Sequence, residues 1–480
     1  MISRSPARLA EDRRAAASAE PVDTRQSGNR LARGVLAQIF ATLSRIVTQL
    51  AFLPLLFVFL SAEQVGLWSM LLALPAYLVV IAQGIATAGA NAAIGTKAGE
   101  AGPVDTIYRF VERRALATTG LTGLLIWGIT EALLASSIID PSPLTIGELR
   151  WSAVFLGTSA LFTAAFAALE VPLRAAGRYP TFVVLVSCVT AAELVIVGLA
   201  LLLGAGIVGM AASLAAARAM NWLYGRHIAR AASPAFFTSA RANHPALWRP
   251  AVAFMLLPLA HGINLQAIVV LIGAFYGTTV LAGFVATRML ARLFDLFTGL
   301  VFSAGYYESA HAALGDEAQL LRVTASLTLL TLLIGAAFWA ALLIFGPWLQ
   351  TIWTLEKTSF DPWLASVIAA GAIFRGLAAM PSAILAARNQ HERFTATYLG
   401  LSVAAFAACA SAASHHAALA VVLLFLLVAE AVQAGVVLRQ FFRLTGSSMA
   451  HFARCVFSRS AVAEWMRWLS ILPWRRRAHV

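Results

Sequence analysis

Arg45 lies ten residues into the apolar run VLAQIFATLSRIVTQLAFLPLLFVFL, which opens at Val35. An arginine at bilayer depth costs at least ~2.5 to 3.5 kcal/mol if it faces lipid, so its side of the helix must look into a protein interior or a wet cavity. Gln38, Thr42, Arg45 and Gln49 follow a spacing of i, i+4, i+7 and i+11, which sets all four on one helical face. A guanidinium there offers a planar fork of donors that suits a phosphate or carboxylate. The second half of the chain carries similar groups within apolar runs. His261 and Asn264 are three residues apart, with Gln266 on another face, and Arg288, Arg292 and Asp295 stand at i, i+4 and i+7. Either Arg288 or Arg292 could pair with Asp295 simply to lock helices together, or the face could line a cavity. Arg375 has no acid near it in sequence, which favours the cavity reading there.

Acidic residues inside apolar runs are Glu131, Glu193 and Glu430, and each is a candidate for carrying a coupling proton or ion, because burial raises a carboxyl pKa. Glu170 has a blander role available, a pair with Arg174 four residues on. Pro54, Pro75, Pro258 and Pro381 fall within helical runs, where each removes one backbone hydrogen bond and can kink its helix.

The elements that position these groups are membrane helices. Of the 480 residues, 60% are hydrophobic and 12% charged, and the mean hydropathy is +0.80, outside the range of soluble globular domains. The opening run turns at Ser61-Ala62-Glu63-Gln64 and returns as a second run to Ala92, each longer than the roughly 20 residues needed to span a bilayer core. Further runs lie at 114–137, 151–173, 180–203, 205–225, 250–275, 279–304, 323–347, 362–387, 394–413 and 417–438. The sequence therefore predicts an all-α polytopic membrane protein with about twelve transmembrane helices.

Basic residues fall on alternate loops, as topology signals do. One set comprises Arg30 and Arg33, then Lys97 with Arg109, Arg113 and Arg114, then Arg174 and Arg178, the linker holding Arg226 to Arg249, Arg322, Arg388 and Arg393, and the tail from Arg439. The intervening loops carry few. Both termini are thereby expected in the cytoplasm. The net charge of +13 is explained by these segments, with no nucleic acid as partner.

The expected organisation is a disordered basic tail at 1–34, a first lobe at 35–229, a cytoplasmic linker at 230–249, a second lobe at 250–444, and an amphipathic or disordered tail at 445–480. An internal repeat supports two six-helix lobes. PLRAAGRYPTFVVL from Pro172 resembles ILAARNQHERFTATYL from Ile384, and the hairpin at 36–88 matches that at 252–304. Parallel repeats of this kind place substrate between them near the midplane. In the final tail Phe452, Val456, Trp465, Trp468 and Trp474 are interspersed with arginines, a composition suited to an anionic membrane surface.

Several chemistries are disfavoured. Cys188, Cys409 and Cys455 are too scattered for a metal site or disulfide pair, so no metal or other cofactor is expected. The N-terminus lacks the form of a secretory signal peptide. Gly204-Ala-Gly206-Ile-Val-Gly209 matches a dinucleotide fingerprint by letter but sits in a turn between two apolar runs with no strand before it. No P-loop or kinase signature is present.

SRIVTQLAFLPLLFVFLSAEQVGLWSMLLALPAYLVVIAQGIATA, LRAAGRYPTF, and ATRMLARLFDLFTGLVFSAGYYESAHAALGDEAQLLR carry a resemblance over about residues 35–445. On them the chain resembles the polysaccharide-transporter branch of the multidrug/oligosaccharidyl-lipid/polysaccharide (MOP) flippase superfamily, the Wzx-like O-antigen and exopolysaccharide flippases. The resemblance implies two six-helix lobes of MATE/MOP type, alternating access, and transport of undecaprenyl-diphosphate-linked repeat units across the bacterial inner membrane for lipopolysaccharide, capsule or secreted polysaccharide. Arg45 matches the basic residue common in the family's first helix. The expected partners are the lipid-linked oligosaccharide, membrane lipids and other polysaccharide-assembly proteins. The long tails at either end depart from simple members.

A MATE-like drug or metabolite antiporter is the nearest rival, but cavity acids and aromatics would suit organic cations better than Arg45, Arg288, Arg292 and Arg375. A membrane glycosyltransferase, polymerase or ligase would need a sizeable outward loop with catalytic groups. The longest outward segment, about 346–362, offers Glu356, Lys357 and Asp361, so no enzyme is expected.

Overall fold

A computed structural model of the chain describes residues 24–94, 101–135, 144–232, 248–299, 301–302, 317–388, 390 and 392–458. Among these residues the regular structure is helical throughout. Helix α1 is Thr24–Phe59, α2 Ala62–Ile94, α3 Ala101–Ala135, α4 Ile146–Ala168, α5 Glu170–Ala175, α6 Tyr179–Leu202 and α7 Gly206–Ala232. In the second half α8 is Trp248–Gly262, followed by a π turn over Ile263–Ala267 and by α9 Ile268–Tyr276. Helix α10 is Thr278–Ala291, and residues 293–299 resume it after a turn at Arg292. Then come α11 Glu317–Trp353, α12 Pro362–Ala387, α13 Glu392–Ser414, α14 Leu419–Thr445 and α15 Met449–Val456. Among the described residues, 9 helices are long and apolar enough to cross a membrane. Helices α3 and α7 are long but diluted by polar residues, and α10 has only 14 residues before its turn.

Local chemistry sets the breaks. The Ser61 backbone N–H donates to Gln64 Oε1 at 3.0 Å and the Gln64 N–H donates to Ser61 Oγ at 3.2 Å, a reciprocal cap that starts α2 straight after α1 ends. Thr145 and Glu148 form the same box at α4. Gly204 and Gly206 hold φ of +73° and +60°, so the glycine-rich segment is the tight turn between α6 and α7, in line with the rejection of a nucleotide loop. Helix α1 begins at Thr24, ahead of the apolar run, because polar residues can extend a helix beyond the stretch that is apolar.

Helix neighbours repeat between the halves. In the first half α1 packs on α6, α2 on α3 and α4, α3 on α4, α4 on α7, and α6 on α7. In the second half α8 packs on α13, α10 on α11 and α12, α11 on α12, α12 on α14, and α13 on α14. The order of partners is the same. Helix α2 makes the seam between the halves by packing on α8, α9 and α10.

The apolar cores are unevenly shared. One core draws Leu56, Leu60, Trp68, Ile207, Ile272, Leu281, Trp353 and Val422 from both halves, all near the turns that the basic residues place outside. At the opposite end the buried residues of two cores come from one half each: Ile107, Val111, Leu169 and Leu185 in the first, with Met255 of α8 packed against them, and Leu320, Met380, Ile384 and Phe441 in the second. Phe452 and Val456 of α15 are buried in that last core against Phe441 and Phe442. The start of the final tail therefore packs on protein, where its composition suggested a lipid surface, because Phe452 and Val456, four residues apart, share one face of α15 and that face lies against Phe441 and Phe442 of α14. Trp465, Trp468 and Trp474 lie outside the described residues.

Candidate functional site

Two cavities flank the α2 seam. The larger, about 650 Å³, is lined by the first half together with Pro258 of α8. Arg45 of α1, Gln83 and Thr87 of α2, Glu170 and Arg174 of α5, Glu193 of α6, and Arg218 and Asn221 of α7 line it. Arg218 Nε reaches Glu193 Oε1 at 3.0 Å. Arg174 reaches Glu170 Oε1 at 2.7 Å and Asn91 Oδ1 at 2.7 Å, and its guanidinium lies 4.6 Å from the Tyr179 ring centre. Arg45 is exposed in this cavity, and among the described residues no carboxylate pairs with it. A smaller adjoining cavity of about 290 Å³ is lined by Arg45, Thr48, Gln49, Glu193 and Arg218, so Arg45 and Gln49 do share a hollow side of α1. The Gln38 side chain lies outside the described residues.

The second cavity, about 410 Å³, is built entirely from the second half. His261 and Asn264 reach it from α8 and the π turn, Arg292 and Asp295 from the end of the α10 segment, Arg375 from α12, Tyr398 from α13, and Glu430 and Gln433 from α14. Arg375 is the hub. Its Nη2 donates to Asp295 at 2.9 and 3.2 Å, its Nε to Asp295 at 3.3 Å, and its Nη1 to Glu430 Oε1 at 3.2 Å. Glu430 also accepts from the Tyr398 hydroxyl at 2.8 Å and from Asn264 Nδ2 at 3.3 Å. Asn264 Nδ2 is 3.1 Å from the Tyr398 oxygen, and His261 Nδ1 lies 3.2 Å from it. Packing three donors on one carboxylate keeps a charge tolerable at 6% side-chain exposure.

The sequence leaves two partners open for Asp295, and the fold chooses between them. Arg292 Nε stands 3.4 Å from Asp295. Arg288 bonds elsewhere: it donates to the Leu265 carbonyl, and its guanidinium lies 5.2 Å from the Phe284 ring centre. Arg288 and Arg292 keep helical spacing, the Arg292 N–H donating to the Arg288 carbonyl at 2.9 Å, and both line a small cavity of about 60 Å³ with Arg375 and Glu430; the π turn presents the Leu265 carbonyl to Arg288, and the turn at Arg292 brings Asp295 round to Arg292. Arg375, without an acid nearby in sequence, is ion-paired twice in space.

The three acids of the apolar runs are all paired. Glu193 meets Arg218 and Glu430 meets Arg375 within cavities. Glu131 meets Arg150 at 2.6 Å beside the α3–α4 connection and lines neither main cavity. Sequence reasoning missed Arg218, Asn221, Tyr398 and Gln433. Arg218 was findable, since it sits inside an apolar run just as Arg45 does. Tyr398 was not, because a tyrosine in a membrane helix gives no sign of the carboxylate it will meet.

No protein-family model matches the chain, and no curated protein matches it. Solved structures do. The chain is similar to an inward-facing multidrug resistance MATE family transporter of the MOP superfamily, with TM-score 0.58 and 14% identity over 85% of this chain and 94% of that one. An outward-facing multidrug resistance MATE family transporter of the MOP superfamily gives TM-score 0.56 and 14% identity over 87% and 95%. A MOP superfamily transporter from Pyrococcus furiosus, described by a reverse polarity of its binding pocket that suggests a different function, gives TM-score 0.53 and 12% identity over 85% and 95%. At these identities the likeness carries the fold: the chain has the all-helical MATE-like transporter fold of a multi-pass membrane protein.

Proposed function

We propose that this protein is a flippase of the Wzx-like, polysaccharide-transporting branch of the MOP superfamily. Its cargo is an oligosaccharide repeat unit on undecaprenyl diphosphate, of O-antigen, capsule or exopolysaccharide type. It carries that cargo across the bacterial inner membrane by alternating access and without covalent chemistry. The observation that carries this reading is Arg45, an unpaired guanidinium in a 650 Å³ cavity whose other two arginines, Arg174 and Arg218, already hold carboxylates. A free cation in a low-dielectric cavity attracts an anion, and its fork fits a diphosphate. Gln83, Thr87 and Asn221 add amide and hydroxyl groups of the kind that bind sugar hydroxyls. The prenyl chain remains in lipid.

The second cavity supplies the energy coupling in this reading. Its fixed charges are nearly balanced, with Arg292 and Arg375 against Asp295 and Glu430. Protonating Glu430, or Glu193 in the first cavity, would release an arginine from its carboxylate. The Pyrococcus furiosus transporter, described as having a pocket of reverse polarity, offers a parallel for this fold serving a cargo other than that of multidrug pumps.

The test is deletion of the gene in its host, with surface polysaccharide and the inner-leaflet pool of sugar-loaded undecaprenyl diphosphate measured together. Loss of polymer with accumulation of loaded carrier is expected. Normal polymer and carrier with altered sensitivity to cationic compounds would refute the flippase reading in favour of a drug or metabolite antiporter.

A further inference from the structure

Residues at the α11–α12 turn hold the first half of the chain shut against the second. Lys357 Nζ donates to the Phe57 carbonyl at 2.5 Å and to the Leu60 carbonyl at 3.0 Å, and Trp353 Nε1 donates to the Leu50 carbonyl at 2.7 Å. The two Lys357 bonds reach the end of α1, and the Trp353 bond reaches a carbonyl within it that Pro54, four residues on and without an N–H, leaves free; the joined elements are some 300 residues apart in sequence. The acceptors are chosen by helix chemistry. Phe57 and Leu60 lie at the C-terminus of α1, where the last carbonyls have no intrahelical donor and the helix dipole places partial negative charge. An ammonium completes them. Lys357 is one of two lysines in a chain whose other basic residues are all arginine, and its compact, rotatable donors suit two carbonyls on one helix end.

The backbone is bent to bring it there. Leu355 and Glu356, with φ of +52° and +62°, occupy the left-handed region consecutively, which side chains other than glycine rarely adopt. That bend reverses the chain after Trp353 and aims Lys357 back over α1. The contacts lie at the end where the two halves share one large apolar core, whereas at the other end, among the described residues, Met255 alone crosses from the second half into the first half's core. They lie on α1, just before the turn into α2, which packs on α8, α9 and α10.

We infer that Trp353 and Lys357 form the latch of the outward gate: they fasten α1 to the second half in the state this structure holds, and they release when the molecule opens outward about the α2 seam. The inference goes beyond the proposed cargo and holds for any substrate that this fold exchanges between two faces.

The experiment measures distances by pulsed electron spin resonance, with no substrate added, on protein in nanodiscs in which Cys188, Cys409 and Cys455 are replaced by Ser. One spin-label pair, on Leu203→Cys and Trp363→Cys, reports the outer end, and another, on Tyr224→Cys and Met449→Cys, reports the inner end. All four sites are exposed. K357Q should raise the population with a lengthened outer distance and a shortened inner distance about fivefold to tenfold, the loss of a charge-assisted cap on a helix end. K357R, which keeps a cation, should stay near the parent, and W353F should shift the same way as K357Q by a smaller factor. Unchanged distances in a folded K357Q and W353F would overturn the latch. So would an outer distance that lengthens while the inner one stays fixed, since that is local fraying. Should K357Q fail to fold, W353F alone decides by the same distances. Because cargo is absent, these outcomes are independent of whether lipid-linked oligosaccharide is the substrate.

Discussion

Replacing Arg375 by Gln removes the hub of the second cavity and tests whether its ion pairs are structural necessities. Arg375 has 21% side-chain exposure and Glu430 has 6%. Gln cannot supply a counter-charge, so Glu430 is left buried with the Tyr398 hydroxyl and Asn264 as its remaining donors. Asp295 keeps Arg292 at 3.4 Å. Breaking a buried pair from one side costs about 3 to 5 kcal/mol, and the surviving donors place this case near the lower end, at about 3 kcal/mol. For a chain of 480 residues that corresponds to a fall of roughly 3 °C in unfolding temperature. The cost is expected to be mainly that of the stranded charge. Arg375→Gln combined with Glu430→Gln should then recover most of the loss, because the neutral amide still accepts from Tyr398. The assay is thermal unfolding of the purified protein in one detergent, for the parent, both single variants and the double. A single Arg375→Gln variant within about 1 °C of the parent would refute the buried-pair reasoning, as would a double variant that loses the sum of the singles.

Arg45→Ala should abolish translocation in proteoliposomes while leaving the unfolding temperature unchanged, since nothing in the fold depends on its charge, and Arg45→Lys should retain part of the activity; full transport by Arg45→Ala sinks the cationic path. Arg218→Ala should lower stability by about 1 to 3 kcal/mol, because it strands Glu193, and Glu193→Gln in the same chain should restore much of it. Tyr398→Phe deletes a hydroxyl that Glu430, Asn264 and His261 share, and should cost about 1 to 3 kcal/mol in thermal unfolding. A Cβ at Gly66 would collide with the Thr278 carbonyl across the α2–α10 contact, so Gly66→Ala should destabilise the chain by more than about 1 kcal/mol, whereas Gly157→Ala, which meets no atom, should be neutral or better.

The number and placing of apolar runs determined the fold class, because a bilayer admits only backbones that satisfy their own hydrogen bonds, and a run of apolar residues of that length has few alternatives to a helix. The breaks at Ser61 and at Gly204 were legible for the same local reason: caps and left-handed turns are written in adjacent residues. Arg45 was legible as a cavity residue because its cost in lipid is intrinsic to the residue. What tertiary structure decided was partnership. Arg375 looked free in sequence and is bound twice, Arg288 looked like a partner for Asp295 and bonds the Leu265 carbonyl instead, and Glu193 looked isolated and meets Arg218. Ion pairs between helices depend on which faces meet across tens or hundreds of residues, and periodicity within one helix holds no information about its neighbour's rotation. The latch at Lys357 belongs to the same class: a lone lysine in a turn acquires meaning only when the end of another helix is packed beneath it.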